Sequence, residues 1–503
     1  MSGLVMRISL SLVVLALAFE ASAAAFLKTD PDRNATPLNI GFRRLGTLRP
    51  RTAKEVGPGN WAIDGAPVDR DFVDFDRYRD YLPALGVARI RILAGWAKSE
   101  REPGRVDVGW LDHIVDWCAD HGISVILELS YGNPIYPGAG GAGLFHQIPN
   151  TPEGLAEWDR WVLFLANHFK GRVREWAMWN EPDANLNINP HAAIAAFNVR
   201  SAKLLRRVLP DCRIHGLTLA NVDPELFEKC LVPMGDDVRL FDTFVYHGYL
   251  TNPDASYEKV EQTKKVVARL APHAVLRQGE NGCASEWLSQ FALQGHAWSE
   301  VSQAKWDLRR MLGDLGHDVE SGLFCFVDIN YQPPTFKGYF CNRKGYLRLN
   351  ASNEVIRVKR AFYAVQNAVS VFDASVRRVK DNPLATCLDP TISLYEYRTK
   401  DGSPLLVFWQ HGPGADGRPD ADVAPGDSFE TREIAFTWKG EAFRDPVWVD
   451  LMTGWVYELP ADDQIVHSCG IDFAGIPTYD SPCLLTERTA IDCVLTSKGE
   501  KRK

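Results

Sequence analysis

The chain has 503 residues, 46% of them hydrophobic, with 56 basic against 64 acidic side chains and a formal net charge of -8. That apolar content excludes disorder throughout and suffices for a large buried core, enough for two structural units at this length. The acidic balance supplies no basic field for nucleic acid or an anionic membrane surface, so a neutral or small substrate fits better.

In chain order, the first segment reads as an export signal over residues 1–23. Arg7 precedes the apolar run Ile8 to Phe19, and Ala21-Ser22-Ala23 follows with the small-x-small pattern of a cleavage site. The run is too short for a mature membrane span, and no other segment reads as one, so the expectation is an exported protein, periplasmic or extracellular, without stable membrane insertion.

From about residue 37 to 373 short apolar runs alternate with amphipathic helical periodicity. The predicted strands are Leu38 to Leu45, Val87 to Leu93, Ser124 to Leu129, Val173 to Trp179, Arg213 to Ala220, Phe241 to Tyr246, Ala274 to Gln278 and Gly322 to Asp328. The predicted helices include Asp74 to Leu85, Val108 to His121, Pro152 to Phe169, Pro190 to Leu209, Tyr257 to Leu270, Glu300 to Leu315 and Asn353 to Phe372. Eight βα units over this length predict an α/β chain folded as a (β/α)8 barrel, with its site at the C-terminal ends of the strands. After Phe372 the helical period disappears. Short strand-like runs separated by Gly, Pro and Asp turns predict an all-β sandwich over 374–495, with a long exposed loop from His411 to Gly426 and a charged tail over 496–503.

Two carboxylates fall at the predicted strand mouths. Trp179-Asn180-Glu181-Pro182 ends the fourth strand, and Gln278-Gly279-Glu280-Asn281-Gly282 ends the seventh. Paired glutamates suit acid/base work on a glycosidic bond, with retention at a separation of about 5 Å and inversion at roughly 6.5 to 9.5 Å. A bare Asn-Glu-Pro is more often a capping or loop glutamate, and glycine-flanked glutamates are common in turns. The positions on strands four and seven reverse those odds. On this reading Glu181 is the acid/base, Glu280 the nucleophile made accessible by Gly279 and Gly282, and Asn180 a donor to a sugar hydroxyl.

These motifs resemble those of the retaining glycoside hydrolases of clan A, over most of residues 37 to 373. Within the clan, Tyr246-His247-Gly248-Tyr249 is similar to the Tyr-His-x-Tyr run of family 39 and related families, and Arg91 in Arg89-Ile90-Arg91-Ile92-Leu93 resembles the strand-two arginine near the nucleophile. The downstream β-sandwich is likewise similar to that of family 39 proteins. The resemblance implies an oligo- or polysaccharide substrate and requires neither metal nor organic cofactor. Arg91 would keep Glu280 ionised, and Tyr249 or His247 would orient it by hydrogen bonding.

The chain departs from the clan at strand eight, Leu323 to Asp328, which lacks the tryptophan many members use as a sugar platform. Trp96, Trp179, Trp287, Tyr331 or Phe336 are the aromatic candidates to replace it, although among 15 tryptophans core packing accounts for most single residues. That departure keeps a second class open, a barrel that binds carbohydrate without cleaving it; a third is a structural or scaffolding protein of the cell envelope that uses the β-domain as its interaction module. Gly138 to Gly143 satisfies GxGxxG but lies in a long loop rather than at a strand-to-helix turn, so it predicts a flexible loop and no dinucleotide. The ten cysteines lack metal-ligand spacing; Cys118, Cys212, Cys230 and Cys325 read as core residues, and Cys469 with Cys483 is a candidate disulfide.

Overall fold

The computed structural model describes residues 29, 34–333, 337–468 and 470–496. The export segment, Phe336, Cys469 and residues 497–503 therefore lie outside the described residues. Eight short parallel strands close into a barrel: β1 (Trp61–Asp64), β2 (Arg89–Leu93), β3 (Ser124–Glu128), β4 (Glu175–Ala177), β5 (Arg213–Leu219), β6 (Thr243–Tyr246), β7 (Val275–Asn281) and β8 (Glu320–Leu323). The seam forms where β1 pairs with β8, Trp61 opposite Ser321.

The strands are buried almost along their whole length because helices cover their outer side, as in β2, where even Arg89 and Arg91 lie within a wholly buried run. Helix Pro152–His168 shows how the sequence sets such a cover. The Thr151 side chain accepts a hydrogen bond from the Gly154 amide, Pro152 fits the first turn, and Trp158, Trp161, Val162 and Leu165 recur on the buried face. At the lower end of the barrel Arg89 bridges Glu175 and Glu320, and Arg213 joins Glu320 at 2.6 Å. These ions sit at the end of the barrel opposite the strand mouths, where they serve its stability.

Seven predicted strands overlap barrel strands; the first does not. The first barrel strand is Trp61–Asp64, while Arg44–Leu48 runs antiparallel to Trp455–Glu458 in the C-terminal sheet. Leu38, Ile40 and Phe42 accordingly pack into the core of that β-region. Two predicted helices also differ. Asp74 to Leu85 breaks into single turns ending in Leu82–Leu85, with the Tyr78 hydroxyl donating to the Gly65 carbonyl. Asn353 to Phe372 begins instead as strand Val355–Val358, where two valines and an isoleucine favour the pleat, and turns helical at Arg360.

The C-terminal region holds an eight-stranded and a four-stranded antiparallel sheet. Strand Pro404–Gln410 shows their division of labour by its period of two. Leu406 and Phe408 enter the core between the sheets, whereas Leu405, Val407 and Trp409 join the barrel's core. The Trp409 indole donates to Asp254 Oδ1 at 2.9 Å, and Arg309, itself buried, donates to Asp254 and to the His411 carbonyl. The predicted loop at His411 is thus anchored at its start, with His411 only 3% exposed. The nine-residue strand Gly470–Thr478, paired with Arg432–Trp438, completes the smaller sheet and was absent from the sequence pattern.

Candidate active site

Glu280 lies within β7, whereas Glu181 stands beyond the end of β4 as the residue before a single turn, Pro182–Asn185. Pro182 disfavours the right-handed helical region for its predecessor. Glu181 adopts φ 45°, ψ 55°, and its amide donates to the Thr218 carbonyl at 2.9 Å. Holding a non-glycine residue there costs about 1–2 kcal/mol, a strain that aims the carboxylate across the barrel mouth. One carboxylate oxygen of Glu181, one of Glu280 and a ring nitrogen of His247 all lie within 4.8 Å of one another.

The glycines beside Glu280, expected from the sequence to give it access, are required by packing. A Cβ on Gly279 would meet Val245 Cγ1 at 2.3 Å, and one on Gly282 would meet the Phe324 carbonyl oxygen at 2.1 Å. They let neighbouring strands approach closely enough to bring the carboxylate to the mouth.

Arg91, fixed inside β2, organises the floor. Its Nη1 donates to Glu280 Oε2 at 2.6 Å and to Asp64 Oδ2 at 2.7 Å. Its Nε and Nη2 grip both oxygens of Glu128 at 2.8 and 3.0 Å, and Nη2 also donates to Asn180 Oδ1 at 2.5 Å. Asn180 in turn donates from Nδ2 to the Tyr131 hydroxyl at 2.8 Å, which leaves its second amide hydrogen for a ligand. Tyr249 donates to Glu280 Oε1 at 2.8 Å. His247 does not orient Glu280, the alternative left open by the sequence. Its Nδ1 meets Glu181 Oε1 at 2.7 Å and stands 3.9 Å from Glu280, while Nε2 has no partner among the described residues.

Of the buried carboxylates around the Arg91 guanidinium, Asp64 and Glu280 shift in opposite directions. Burial outweighs the Arg91 charge at Asp64 and pushes it up to about 7. At Glu280 burial acts in the same sense, but the His247 and Arg91 charges and the hydrogen bonds from Arg91 and Tyr249 prevail and hold it below the ordinary carboxylate value. His247 moves up: burial opposes its charge, and the neighbouring Glu280 and Glu181 more than offset that. The site therefore sets an ionised Glu280 beside a histidine-bound Glu181, an asymmetry suited to a division between nucleophile and proton carrier.

The cavity between them is narrow, about 70 Å³, and is lined by Arg70, Tyr131, Leu144, Phe324 and Tyr331 together with the polar groups above. Of the aromatic candidates, Tyr331 reaches this lining. Trp179 does not face it: the ring is buried against Tyr131, Trp158 and Phe197 and supports Tyr131 from behind. Trp96 is buried between Trp158, Trp161 and Tyr136, and Trp287 is exposed on the surface. The GxGxxG loop passes nearby, with Leu144 just beyond it in the lining and Gly140 against Trp179.

Asp64, Glu128, Arg70 and Tyr131 were missed by sequence reasoning. Glu128 stands one residue before the end of the predicted strand Ser124 to Leu129 and ends the observed one, a signal close to that of the two glutamates, whereas Asp64 lies on the strand that the pattern misplaced. Glu181, His247 and Glu280 are also the one group among the described residues with ligand atoms spaced for a metal ion. The Arg91 guanidinium on Glu280 Oε2 opposes a cation there, and the His247 nitrogen is already engaged with Glu181. The nine described cysteines are all free, the four expected in the core are buried, and among the described residues no helix is long and apolar enough to cross a membrane.

No protein-family model matches the chain, and no curated protein matches it. Solved structures do. A family 39 glycoside hydrolase from the gut symbiont Bacteroides cellulosilyticus shares 17% identity over 88% of this chain and 83% of its own, with a TM-score of 0.61. A monomeric beta-xylosidase from Caulobacter crescentus shares 14% identity over 88% of this chain and 97% of its own, with a TM-score of 0.53. A GH30 endoxylanase from Clostridium papyrosolvens shares 12% over 90% and 98%, with a TM-score of 0.52. At these identities the likeness is one of fold.

Proposed function

We propose that this chain is an exported glycoside hydrolase that cleaves O-glycosidic bonds in an oligo- or polysaccharide with retention, by double displacement. The observation that carries this reading is the approach of the Glu181 and Glu280 carboxylates to within 4.8 Å, close to the separation of about 5–5.5 Å used by retaining enzymes and well short of that for inversion. The solved neighbours named as a glycoside hydrolase, a xylosidase and a xylanase support it independently.

In the first step Glu280 attacks the anomeric carbon while Glu181 gives its proton to the departing oxygen; the glycosidic bond breaks and a glycosyl ester of Glu280 forms. In the second, water attacks the same carbon, its proton passes to Glu181, and the electron pair of the ester bond returns to Glu280. His247 donates to Glu181 as the carboxylate appears and releases it as the proton returns. Arg91 and Tyr249 keep Glu280 ionised and aimed.

Glu181→Ala tests the assignment. On aryl glycosides with good leaving groups the first step needs no acid, so the glycosyl-enzyme should accumulate, and added azide should restore turnover and yield a glycosyl azide of unchanged anomeric configuration. Undiminished activity on unactivated substrates, or no response to azide, would remove Glu181 from this role.

Export rests on Arg7, the run Ile8 to Phe19 and Ala21-Ser22-Ala23. The mature protein recovered from outside the cytoplasm should begin just after Ala23 on N-terminal sequencing; an intact leader on cytoplasmic protein would contradict it.

A further inference from the structure

Lys344 lies in the turn after the strand Phe340–Asn342 and is 1% exposed. Its Nζ donates to the Gly282 carbonyl at 3.0 Å and stands 4.2 Å from the centroid of the Tyr249 ring. It makes no ion pair among the described residues, and its own carbonyl accepts from Gln303 at 2.9 Å, which holds the turn in place. One buried ammonium thus touches the backbone two residues past Glu280 and the face of the phenol that donates to Glu280. Burial draws the lysine down to about 8, so at neutral pH it carries its charge.

We propose that Lys344 is a positioning residue whose charge, acting through the Tyr249 ring, strengthens the phenol's hydrogen bond to Glu280 and so speeds release of Glu280 from the glycosyl-enzyme. The inference rests on the reading of Glu280 as the nucleophile. A cation on an aromatic face draws electron density from the ring, which makes the hydroxyl a better donor and works against the burial and the Glu280 charge that push the phenol up. The two chemical steps feel this differently. During attack the hydrogen bond aims Glu280 but also occupies a lone pair of the nucleophile, so strengthening it lends no further speed. During hydrolysis the C–O bond to Glu280 breaks, its electron pair returns to the carboxylate, and a stronger donor stabilises that growing charge.

The test is Lys344→Met, which keeps most of the buried stem and removes the charge, assayed with a dinitrophenyl glycoside taken as the best substrate of an aryl-glycoside panel. The expected result is a fall in kcat of about tenfold with kcat/KM within about twofold of wild type, because kcat/KM ends at formation of the glycosyl-enzyme, and a larger burst of dinitrophenol. Equal losses in kcat and kcat/KM, the mark of a merely structural residue, would overturn the proposal, as would unchanged kcat. Should Lys344→Met fail to fold, Tyr249→Phe carries the test: it too should lower kcat more than kcat/KM, and the reverse pattern overturns the idea. In the double variant the lysine change should add no further loss of kcat; an additional loss also counts against it. Mass spectrometry of acid-quenched wild-type enzyme separates the two levels of the argument. Without a glycosyl adduct on Glu280 the nucleophile reading itself fails, whereas an adduct with wild-type kinetics in Lys344→Met defeats the Lys344 inference alone.

Discussion

Glu280→Gln should lower turnover by roughly 10⁴-fold or more, the scale on which removing a covalent nucleophile acts, while leaving the protein folded. The change is nearly isosteric at a buried position, so no cavity opens. The amide oxygen can accept from Arg91 Nη1, which now contacts Glu280 Oε2 at 2.6 Å, and the amide nitrogen can donate to the Tyr249 hydroxyl, which now donates to Oε1 at 2.8 Å. The loss should therefore be chemical. On the proposed mechanism Glu181 does not take over the attack, because His247 holds its carboxyl and its proton is committed to the departing oxygen. Single-turnover release of an activated aryl leaving group is the direct measurement, since it reports the first step alone. A freshly purified variant retaining more than about one part in a hundred of that rate would mean that another group attacks the anomeric carbon.

The residues that make this expectation possible were legible in the sequence because they sit where local pattern and topology agree. Glu181 and Glu280 each follow an apolar run at an ordinal position that a count of βα units fixes, and Arg91 lies in a strand whose alternation with its neighbours is unbroken. That count survived a misplaced first strand, because Leu38 to Leu45 stood in for Trp61–Asp64 and left the numbering of the others intact. The substitution had a physical cause. Arg44–Leu48 is a real strand next to real apolar alternation, but its partners are Trp455–Glu458 and Cys493–Leu495, some four hundred residues away, and no local period reports which sheet a strand will join. Asp64 was hidden by the same error. The division between His247 and Tyr249 was not legible for a different reason: the sequence offers either one as the group that orients Glu280, and which carboxylate each reaches is settled by distances of 2.7 and 2.8 Å across the barrel mouth. The two glycines flanking Glu280 look alike as access residues in sequence, and only the nearness of Val245 and Phe324 shows them to be packing requirements.

Arg91→Met should cost both stability and activity, and its pH dependence should reveal why. The side chain is nearly buried and is the only cation that hydrogen-bonds Asp64, Glu128 and Glu280 among the described residues. Methionine refills part of the volume, so the main loss is charge compensation; breaking a buried ion pair from one side costs about 3–5 kcal/mol. The sign with pH follows from the two groups that shift in opposite directions. Glu280 is held below its ordinary value in the folded protein, so the stability it contributes is present at neutral pH and disappears as pH falls through its folded-state value. Asp64 is raised to about 7, so its burial favours the fold in acid and costs stability as pH rises through that value. Without Arg91 both carboxyls hold their protons to higher pH. The melting-temperature deficit of the variant should then be largest above pH about 7 and shrink progressively toward pH about 5, where neutral carboxyls no longer need the guanidinium. If Glu280 is the nucleophile proposed above, the acidic limb of kcat/KM should move upward in parallel, because the carboxyl then has to lose its proton before attack. Arg91→Lys should fall between, retaining the charge but unable to span Glu128, Asp64, Glu280 and Asn180 with one planar fork. A deficit of equal size across the whole pH range, with the acidic limb unmoved, would mean that Arg91 acts by filling space and that the ionisation of Glu280 is secured by His247 and Tyr249 instead.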